Sequence, residues 1–420
     1  MKNIVLYKII SIAKKRPLRF LKKESFIRLK RVLLSSLVYR LQPPGSKPRL
    51  YFDLTILSLY DNHTGVQRVV RSVFKEIKEL LKEKYEITPV SCTAFTKGFQ
   101  VIEEHPLDGL RHCKLTGYNI SPREGDVFLS MDQAFLEHLA QQDELKKMCD
   151  SGCRLIFTVY DLLPLQLPDC FPSEVELIFK KWIDTLSPFS EFICDSKTVA
   201  HDLEDYLRLN KLYNNGVYWF YPGGNFISDI SSKGITEKQN DFLKNLSKFK
   251  LNFFIVGTIE PRKGHKQILR LFNKLWDEDR QNISLTFVGK KGWLTEDLCQ
   301  KILTDPRFNE NLFWFQQASD EFIDKCYKAA DAVIVASLNE GYGLPILEAS
   351  KNKCRIIANN IPVFREVAPK ECYFIELTNP SIAYQQLRDW LISPSQKCGS
   401  VSPQTWHQTA LQILTRTKII

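Results

Sequence analysis

Two glutamates stand close together near the end of the chain, within the stretch SLNEGYGLPILEASK. Pro345 suits the first turn of a helix, where its missing N–H costs no hydrogen bond, and Gly341 and Gly343 permit a tight turn before it. The pattern therefore predicts Glu340 on a loop and Glu348 about one turn into a helix. A carboxylate in such a place can accept two hydrogen bonds from vicinal hydroxyls, as on a ribose or a hexose.

The same turn leaves backbone N–H groups uncovered near a helix N-terminus, which is a favourable place for a phosphate group. A plainer alternative is that Glu348 caps the helix or forms a salt bridge, while the glycines only end a strand. The choice depends on whether a second polar element accompanies the first.

That second element is VGTIEPRKGHKQIL, which begins at Val256. A buried strand ends in it, and a loop then presents Glu260, Arg262 and Lys263 before a helix begins after Gly264. Arg262 and Lys263 supply fixed positive charge for a diphosphate, and a guanidinium can bind phosphate oxygens through two parallel hydrogen bonds. The alternative is a solvated turn, because Pro-Arg-Lys-Gly is ordinary turn composition.

Metal chemistry finds little support in the sequence. The Asp-x-Asp pair, Asp277 and Asp279 in LWDEDRQ, belongs to a polar helix end, where we expect a solvated surface. The eleven cysteines form no Cys-x-x-Cys pair, and Cys149 and Cys153 lack partners at the spacing of a zinc site. We therefore expect no bound metal, and we expect the reduced, buried thiols of a cytoplasmic protein.

The elements that must hold these loops alternate between apolar runs and helical patterns. In the first half, strand-like runs cover 49–57, 126–132, 154–163 and 191–196, and TGVQRVVRSVFKEIKELL has one apolar helical face. In the second half, the strand candidates are LNFFIVGTI, ISLTFVG, NLFWFQQ, DAVIVAS, CRIIANN and CYFIEL. The alternation predicts an α/β protein with two doubly wound Rossmann-like domains. Ligands of such sheets bind beside the carboxyl ends of the strands, here in a cleft between the domains.

Four segments follow from this pattern. Residues 1–48 form a basic amphipathic arm, 49–230 the first domain, 231–395 the second domain, and 396–420 a C-terminal segment whose helix crosses back to the first domain. The polar stretch 228–249, which lacks a strand pattern, supplies the connection between the domains.

The net charge of +10 belongs to the arm. Residues 1–49 hold 14 lysines and arginines and one acid, Glu24, whereas the other 371 residues hold 44 basic and 47 acidic side chains. One interpretation of residues 1–40 is a helix that contacts a membrane surface, and the other is a helix packed on the body with its charges in water. No apolar run in the arm reaches the length of a membrane span, and basic residues interrupt every run that could serve a signal peptide. Nucleic-acid binding is the third interpretation, since no recognition motif accompanies the basic residues.

In the membrane-surface interpretation, the side chains that would contact anionic lipid are Lys14, Lys15, Arg16, Arg19, Lys22 and Lys23.

Together, the two polar elements resemble those of the retaining glycosyltransferases of family 4, which have the GT-B fold. The signature is E-x7-E, here EGYGLPILE from Glu340 to Glu348, preceded by AADAVIVAS and followed by NNIPVFREV in the order usual for that family. The resemblance extends over residues 50–415 and is closest in the second domain.

The resemblance implies roles for particular residues. Glu340 would lie by the donor sugar, Glu348 by the nucleotide ribose, and Lys263 by the phosphates. Many members carry an arginine five positions before that lysine, where this chain has Thr258, and Arg262 is the candidate to replace it.

In the first domain, DNHTGVQRVVRSV resembles the family's first strand-to-helix loop, in which Gly65 would let the backbone approach the donor phosphate. The alternative is a glycine that merely follows a helix cap. FTVYDLLPLQLPDCF resembles a stretch near the acceptor in which many members have His-Asp. Here Tyr160 replaces the histidine, and Asp161 remains a candidate for binding an acceptor hydroxyl.

The implied catalytic residues are thus Glu340, Lys263, Arg262 and Asp161. The implied donor-binding residues are Gly65, Gly257, Thr258, Gly341, Tyr342, Gly343, Leu344 and Glu348.

The resemblance also implies an activity, namely transfer of a hexose from a nucleotide-diphosphate sugar to a saccharide or lipid-linked saccharide. The most similar loops belong to mannosyl- and rhamnosyltransferases that assemble bacterial surface polysaccharides such as O-antigen, lipopolysaccharide or capsule, so GDP-mannose is the first donor to test. No cofactor or metal is expected, and the arm would hold a cytoplasmic enzyme at the inner membrane. The alternatives are a nucleotide-sugar 2-epimerase, a glycogen-synthase-like enzyme and a non-catalytic membrane-associated scaffold.

Overall fold

The computed structural model describes residues 40–59, 64–94, 96–105, 109–224, 234–398 and 404–420. Residues 1–39 of the predicted arm lie outside these ranges, and so does the predicted boundary between residues 230 and 231, so both stay predictions. Within the described ranges, the chain divides into two compact units. The first holds the residues up to 158 with 180–193 and 207–217, and the second holds 159–179, 194–206 and 218–420.

Among the described residues, the first sheet has nine strands, which span Arg40–Leu41 (β1), Arg49–Asp53 (β2), Glu86–Ser91 (β3), Gln100–His105 (β4), Gly109–Asn119 (β5), Val127–Ser130 (β6), Arg154–Val159 (β7), Glu191–Cys194 (β8) and Val217–Trp219 (β9). Their order is β1-β5-β4-β3-β2-β6-β7-β8-β9. β2 pairs in parallel with β3 and β6, and β6 pairs in parallel with β7. β4 pairs antiparallel with both β3 and β5. The predicted parallel arrangement is therefore confirmed at the centre of the sheet, whereas sequence analysis assigned no strand to β3, β4 or β5.

All five residues of β2 are buried, as expected for a strand covered on both faces. The predicted strand 49–57 is nevertheless too long. Its last strand residue is Asp53, whose carboxylate accepts hydrogen bonds from the backbone N–H (3.0 Å) and the hydroxyl (2.6 Å) of Thr55. Such a bond to the residue two positions on favours a turn over a continued strand.

The α-helices of the described ranges are α1 Thr55–Leu59, α2 Gly65–Leu81, α3 Phe135–Ala140, α4 Gln142–Asp150, α5 Leu163–Gln166, α6 Ser173–Leu186, α7 Lys197–Leu209, α8 Glu237–Asn245, α9 His265–Asp277, α10 Glu296–Thr304, α11 Asp320–Ala329, α12 Leu344–Lys351, α13 Pro362–Val367, α14 Pro380–Ile392 and α15 Trp406–Arg416. α2 begins where it does because Thr64 caps it. The Gln67 N–H donates to the Thr64 hydroxyl at 3.2 Å, and the Gln67 side chain accepts from the Thr64 N–H at 3.3 Å. Most of the apolar face predicted for this helix is buried.

In the part of the chain that the structure describes, the second sheet has six strands, which span Leu251–Val256 (β10), Ile283–Val288 (β11), Leu312–Phe315 (β12), Ala332–Val335 (β13), Arg355–Asn359 (β14) and Tyr373–Ile375 (β15). Their order is β12-β11-β10-β13-β14-β15, and each neighbouring pair is parallel. All six predicted strands of this half are confirmed. Phe253 of β10 packs in one core with Phe272 of α9 and Trp390 of α14, so helices cover the sheet as the alternation predicts.

The polar stretch 228–249 contains α8, which the sequence analysis did not predict. Phe242 of this helix packs with Phe254, Val288 and Phe322. Leu243 packs partly against the same cluster and Gln239 is buried, so one face of this short helix is held against the second unit.

The C-terminal helix α15 is confirmed as a helix, with Thr405 as its cap. The side-chain oxygen of Gln412 accepts from the Tyr221 N–H at 2.7 Å, and Arg416 donates to the Trp219 carbonyl at 2.6 Å. Its predicted crossing to the first domain stays a prediction. None of the helices in the described ranges combines the length and the apolar composition that crossing a bilayer requires.

Candidate functional site

The loops after β10 and β13 lie side by side, because these strands pair in parallel within the second sheet. The first loop contains a 3₁₀ turn, Pro261–Lys263, and leads into α9. The Leu338 N–H of the second loop donates to the Arg262 carbonyl at 2.8 Å. Gly264 has a φ of +71°, and a Cβ on it would lie 2.0 Å from the Ala336 carbonyl oxygen. This close approach requires glycine.

Glu340 is the centre of this arrangement. Its carboxylate forms ion pairs with the Lys263 ammonium and with the Arg262 guanidinium, the latter at 3.1 Å between Nη1 and Oε2. The Ser337 hydroxyl donates to Oε1 at 2.7 Å, and the Glu340 N–H donates to the side-chain oxygen of Asn339 at 2.8 Å. The three charged side chains are 12–18% exposed, so solvent screens their contacts less than at a surface. We call these three residues the ion cluster.

The two cations fix the charge of Glu340. Burial alone would raise the pKa of this carboxyl, but Lys263 and Arg262, with a hydrogen bond from Ser337, lower it to about 2. Glu340 is therefore a carboxylate at neutral pH and has no proton to donate as a general acid.

Arg262 bridges two carboxylates. Its Nη2 atom lies 2.9 Å from Glu260 Oε2, while Nη1 lies against Glu340. Burial lowers the pKa of the guanidinium, but Glu340 and Glu260 outweigh that effect and raise it. For Glu260, burial raises the pKa although both cations oppose the rise. The guanidinium thus lies between two carboxylates, one on its own loop and one on the neighbouring loop.

Asp161 belongs to the second unit, like the ion cluster. Its Oδ1 accepts from the Leu163 N–H at 3.1 Å. Burial raises its pKa, while the nearby Arg262 opposes the rise. The preceding residue, Tyr160, is buried, and its carbonyl oxygen would lie 1.9 Å from a Cβ on Gly341. The structure thus brings all four predicted catalytic residues into one neighbourhood.

Asp195 lies in the same neighbourhood, although the sequence analysis did not select it. It directly follows β8, it is buried, and its Oδ1 has no hydrogen-bond partner among the described residues. A Cβ on Gly341 would lie 3.1 Å from that atom. Burial, with the charges of Asp161 and Glu340, raises the pKa of Asp195 well above its ordinary value. Its position at the carboxyl end of a strand is the signal that could have identified it.

Glu348 lies on α12, as predicted, and its Oε2 accepts from the Tyr327 hydroxyl at 2.9 Å. The turn before it has the predicted glycine geometry, since Gly343 has a φ of +106°. Leu344 is the first residue of the helix, and Tyr342 is buried. The part of these residues in donor binding stays a prediction.

Three further residues are predicted to bind the donor, namely Gly257, Thr258 and Gly65. Gly257 follows β10 with a φ of +142°, and its N–H donates to the Val288 carbonyl at 2.9 Å. Thr258 comes next, in place of the family's arginine. Gly65 belongs to the first unit and directly follows the cap of α2, the structural role that was its alternative interpretation. Their contact with a donor stays a prediction.

Within the described ranges, no group of three or more His, Cys, Asp or Glu side chains could hold a metal ion. Positive charge near Glu340 comes instead from Lys263 and Arg262. Such an arrangement can stabilise a diphosphate through the two cations and can hold hydroxyl groups through the carboxylates. The expectation of metal-free chemistry stays a prediction.

Residues 237–400 match the family described as Glycosyl transferases group 1. The chain is 30% identical to the serotype-specific mannosyltransferase WbdA of Escherichia coli over 387 residues, which cover 89% of this chain and 46% of that protein. It is 26% identical to the O-antigen chain mannosyltransferase B of Escherichia coli, over 51% of this chain and 55% of that protein. The chain thus spans about half the length of the curated relatives it matches.

Among solved structures, sucrose-phosphate synthase from Thermosynechococcus elongatus superimposes with a TM-score of 0.59. The match covers 89% of this chain and 99% of that chain at 14% sequence identity. A likeness at this level of identity shows the fold alone, and it confirms the fold class that the sequence predicts.

Proposed function

We propose that this chain, whose residues 237–400 match the family Glycosyl transferases group 1, is a GT-B glycosyltransferase that transfers mannose from GDP-mannose to a saccharide, with retention at the anomeric carbon. The observation that carries the proposal is the ion cluster, in which Glu340 meets Lys263 and Arg262 at the adjoining ends of two parallel strands. Two relatives named as mannosyltransferases support the choice of sugar, and one named for the O-antigen chain supports a surface polysaccharide as the product.

The cations of the cluster suit a nucleoside diphosphate. Lys263 and Arg262 follow a strand of the second sheet and stand at the start of α9, a place where backbone N–H groups also favour an anion. In the structure they bind Glu340, so a diphosphate and this carboxylate compete for the same two cations. On this proposal, donor binding draws the cations toward the phosphates and leaves the Glu340 carboxylate to the sugar.

In the reaction, the bond between the anomeric carbon and the donor's phosphate oxygen breaks, and a bond from that carbon to the acceptor oxygen forms on the same face. The acceptor hydroxyl proton passes to the departing phosphate, so the products are GDP and the extended saccharide. Glu340 stays ionised, as its lowered pKa requires, and it orients the sugar and stabilises positive charge that develops at the anomeric carbon. Lys263 and Arg262 stabilise the leaving diphosphate, with no need of a metal ion.

Asp161 would bind the acceptor hydroxyl. It lies close enough to Arg262 and Glu340 for the three groups to influence one another's pKa. A lipid-linked saccharide is the acceptor that would give the basic segment 1–40 a purpose, since its lysines and arginines would hold the enzyme at the cytoplasmic face of a membrane.

The test uses the purified full chain with GDP-mannose, dTDP-rhamnose, UDP-glucose and UDP-N-acetylglucosamine as donors, and it compares GDP binding with sugar release or transfer. Lys263→Met should weaken GDP binding about tenfold, because a charged contact to phosphate is lost. Glu340→Gln should lower the rate of transfer about tenfold to a hundredfold. The same variant should keep or increase the affinity for GDP, because the Glu340 side chain, which competes with the diphosphate for the two cations, loses its negative charge.

Lys266→Met is the matched control, since Lys266 is an exposed lysine in the first turn of α9, just after the loop that carries Lys263. It should leave both quantities unchanged. A folded protein that binds no nucleotide would support the non-catalytic scaffold instead, and a donor converted to its 2-epimer without an acceptor would support the epimerase.

A further inference from the structure

Two aromatic side chains of the second unit form a partly exposed pair. The rings of Phe171 and Trp293 lie 5.9 Å apart at an angle of 34°, and Trp293 is 38% exposed. The indole N–H of Trp293 donates to the Cys170 carbonyl oxygen at 2.8 Å. This bond satisfies the indole's polar group and fixes the ring, while more than a third of the side chain remains in contact with solvent.

The pair lies at the edge of the ion cluster. The Gly292 N–H, just before Trp293, donates to the Ile259 carbonyl at 2.9 Å. A Cβ on Gly292 would lie 2.7 Å from Cγ of Glu260, whose carboxylate binds Arg262. The loop that carries Trp293 is therefore packed directly on the loop that carries the cations.

The segment that carries Phe171 is also tied to the cluster. It begins at Asp161, and the side chain of Gln166 within it accepts from Asn339 Nδ2 at 2.7 Å. Asn339 precedes Glu340, and its own oxygen accepts the Glu340 N–H. Both members of the aromatic pair thus extend from segments whose other residues contact or adjoin the ion cluster.

We propose that Phe171 and Trp293 form a stacking surface for a sugar ring of the acceptor saccharide, beside the point of transfer. The inference rests on the proposed function, because it takes the acceptor to be a saccharide. A pyranose presents a face of C–H groups, which packs on an aromatic ring, and a rim of hydroxyls, which needs polar partners. The aromatic pair supplies the first, and the polar loop of Glu260 and Arg262, which packs on Gly292 directly before Trp293, lies beside it for the second. A ring already fixed by its hydrogen bond loses little further freedom on binding.

The experiment measures binding of an α-linked mannotriose to the full chain by saturation-transfer NMR and calorimetry, without any nucleotide, and measures GDP binding separately. Trp293→Ala and Phe171→Ala should each weaken mannotriose binding about tenfold, since each removes a large part of the stacking surface. Trp293→Phe, which keeps a ring, should stay within about threefold of the wild type. Ile382→Ala is the control, because it removes a 47% exposed apolar side chain from α14.

Loss of mannotriose binding in the two alanine variants, with GDP binding and the Ile382→Ala protein unchanged, supports the stacking surface. Wild-type affinity in Trp293→Ala, or no mannotriose binding by the wild type, overturns it. The proposed function is judged by the separate nucleotide measurement. A protein that binds mannotriose through Trp293 but no nucleotide would keep the sugar site and refute the transferase.

Discussion

Lys263 and Glu340 form a partly buried ion pair although 77 positions of sequence separate them. The pair exists because the strands that precede the two residues, β10 and β13, are neighbours in one parallel sheet. Each loop by itself has the composition of an ordinary solvated turn. A carboxylate lies against two cations only because the two loops meet. The stability of the protein and the binding of nucleotide should therefore depend on these charges, which experiments can measure.

Acid should destabilise the folded protein, in part because Glu340 becomes protonated. Its pKa in the folded protein is about 2, below the ordinary value of 4.5, so its contribution to stability is present above pH 4.5 and is lost as the pH falls toward 2. Glu340→Gln removes this titration. Urea unfolding of both proteins at pH 7 and pH 3 should therefore show a difference between them that shrinks at pH 3. An equal difference at both pH values would mean that the carboxylate is not held by Lys263 and Arg262.

His265 should lower the free energy of unfolding as the pH falls. This residue is buried, both ring nitrogens lack a hydrogen-bond partner among the described residues, and burial lowers its pKa to about 3. The unfolded chain binds a proton near pH 6.5 and the folded protein does not, so stability should decline below pH 6.5, by about 2 kcal/mol at pH 5.

His265→Leu should remove that decline and should stabilise the protein by about 1–2 kcal/mol at pH 8, because no buried polar nitrogen is left unpaired. Chemical unfolding at pH 8 and pH 5 measures both effects. Unchanged or lower stability of this variant at pH 8 would show that the imidazole has partners in solution.

Gly264 should tolerate no side chain. Its φ of +71° and the 2.0 Å approach of the Ala336 carbonyl to a Cβ both oppose alanine. Gly234 is the matched control, with a φ of +70° and nothing within 4 Å of a Cβ. We expect Gly234→Ala to cost about 1 kcal/mol from backbone strain alone and Gly264→Ala to cost more than about 3 kcal/mol. Thermal unfolding compares the two, and equal losses would contradict the packing of the two loops.

Tyr327 should act on nucleotide binding through Glu348. Its hydroxyl donates to Glu348 Oε2 at 2.9 Å, so Tyr327→Phe removes one bond that orients the carboxylate. If Glu348 holds the donor's ribose, the affinity for GDP should fall about threefold to tenfold in this variant.

Comparing GDP with free guanine gives the control, because guanine carries no ribose and its binding should not change. If Tyr327→Phe keeps the wild-type affinity for GDP, Glu348 does not hold the ribose.

Much of this architecture could be read from local pattern. The six strands of the second sheet, the helix with its cap at Thr64, and the loops that carry Lys263 and Glu340 all follow from short-range periodicity and from glycine or proline at turns. Strands β3, β4 and β5, which meet in the antiparallel pairs β3–β4 and β4–β5, were missed, because their sequences alternate weakly and depend on their neighbours for pairing.

The sequence by itself determined which residues stand at the ends of strands, because chain direction and side-chain periodicity are local properties of the backbone. Only the tertiary structure decided which ends meet. Strand order set Glu340 against Arg262, folding placed the unpredicted Asp195 beside Gly341, and packing joined Trp293 to Phe171. These contacts join residues far apart in sequence, and their energies depend on burial and on the distance between charges, which no local pattern contains.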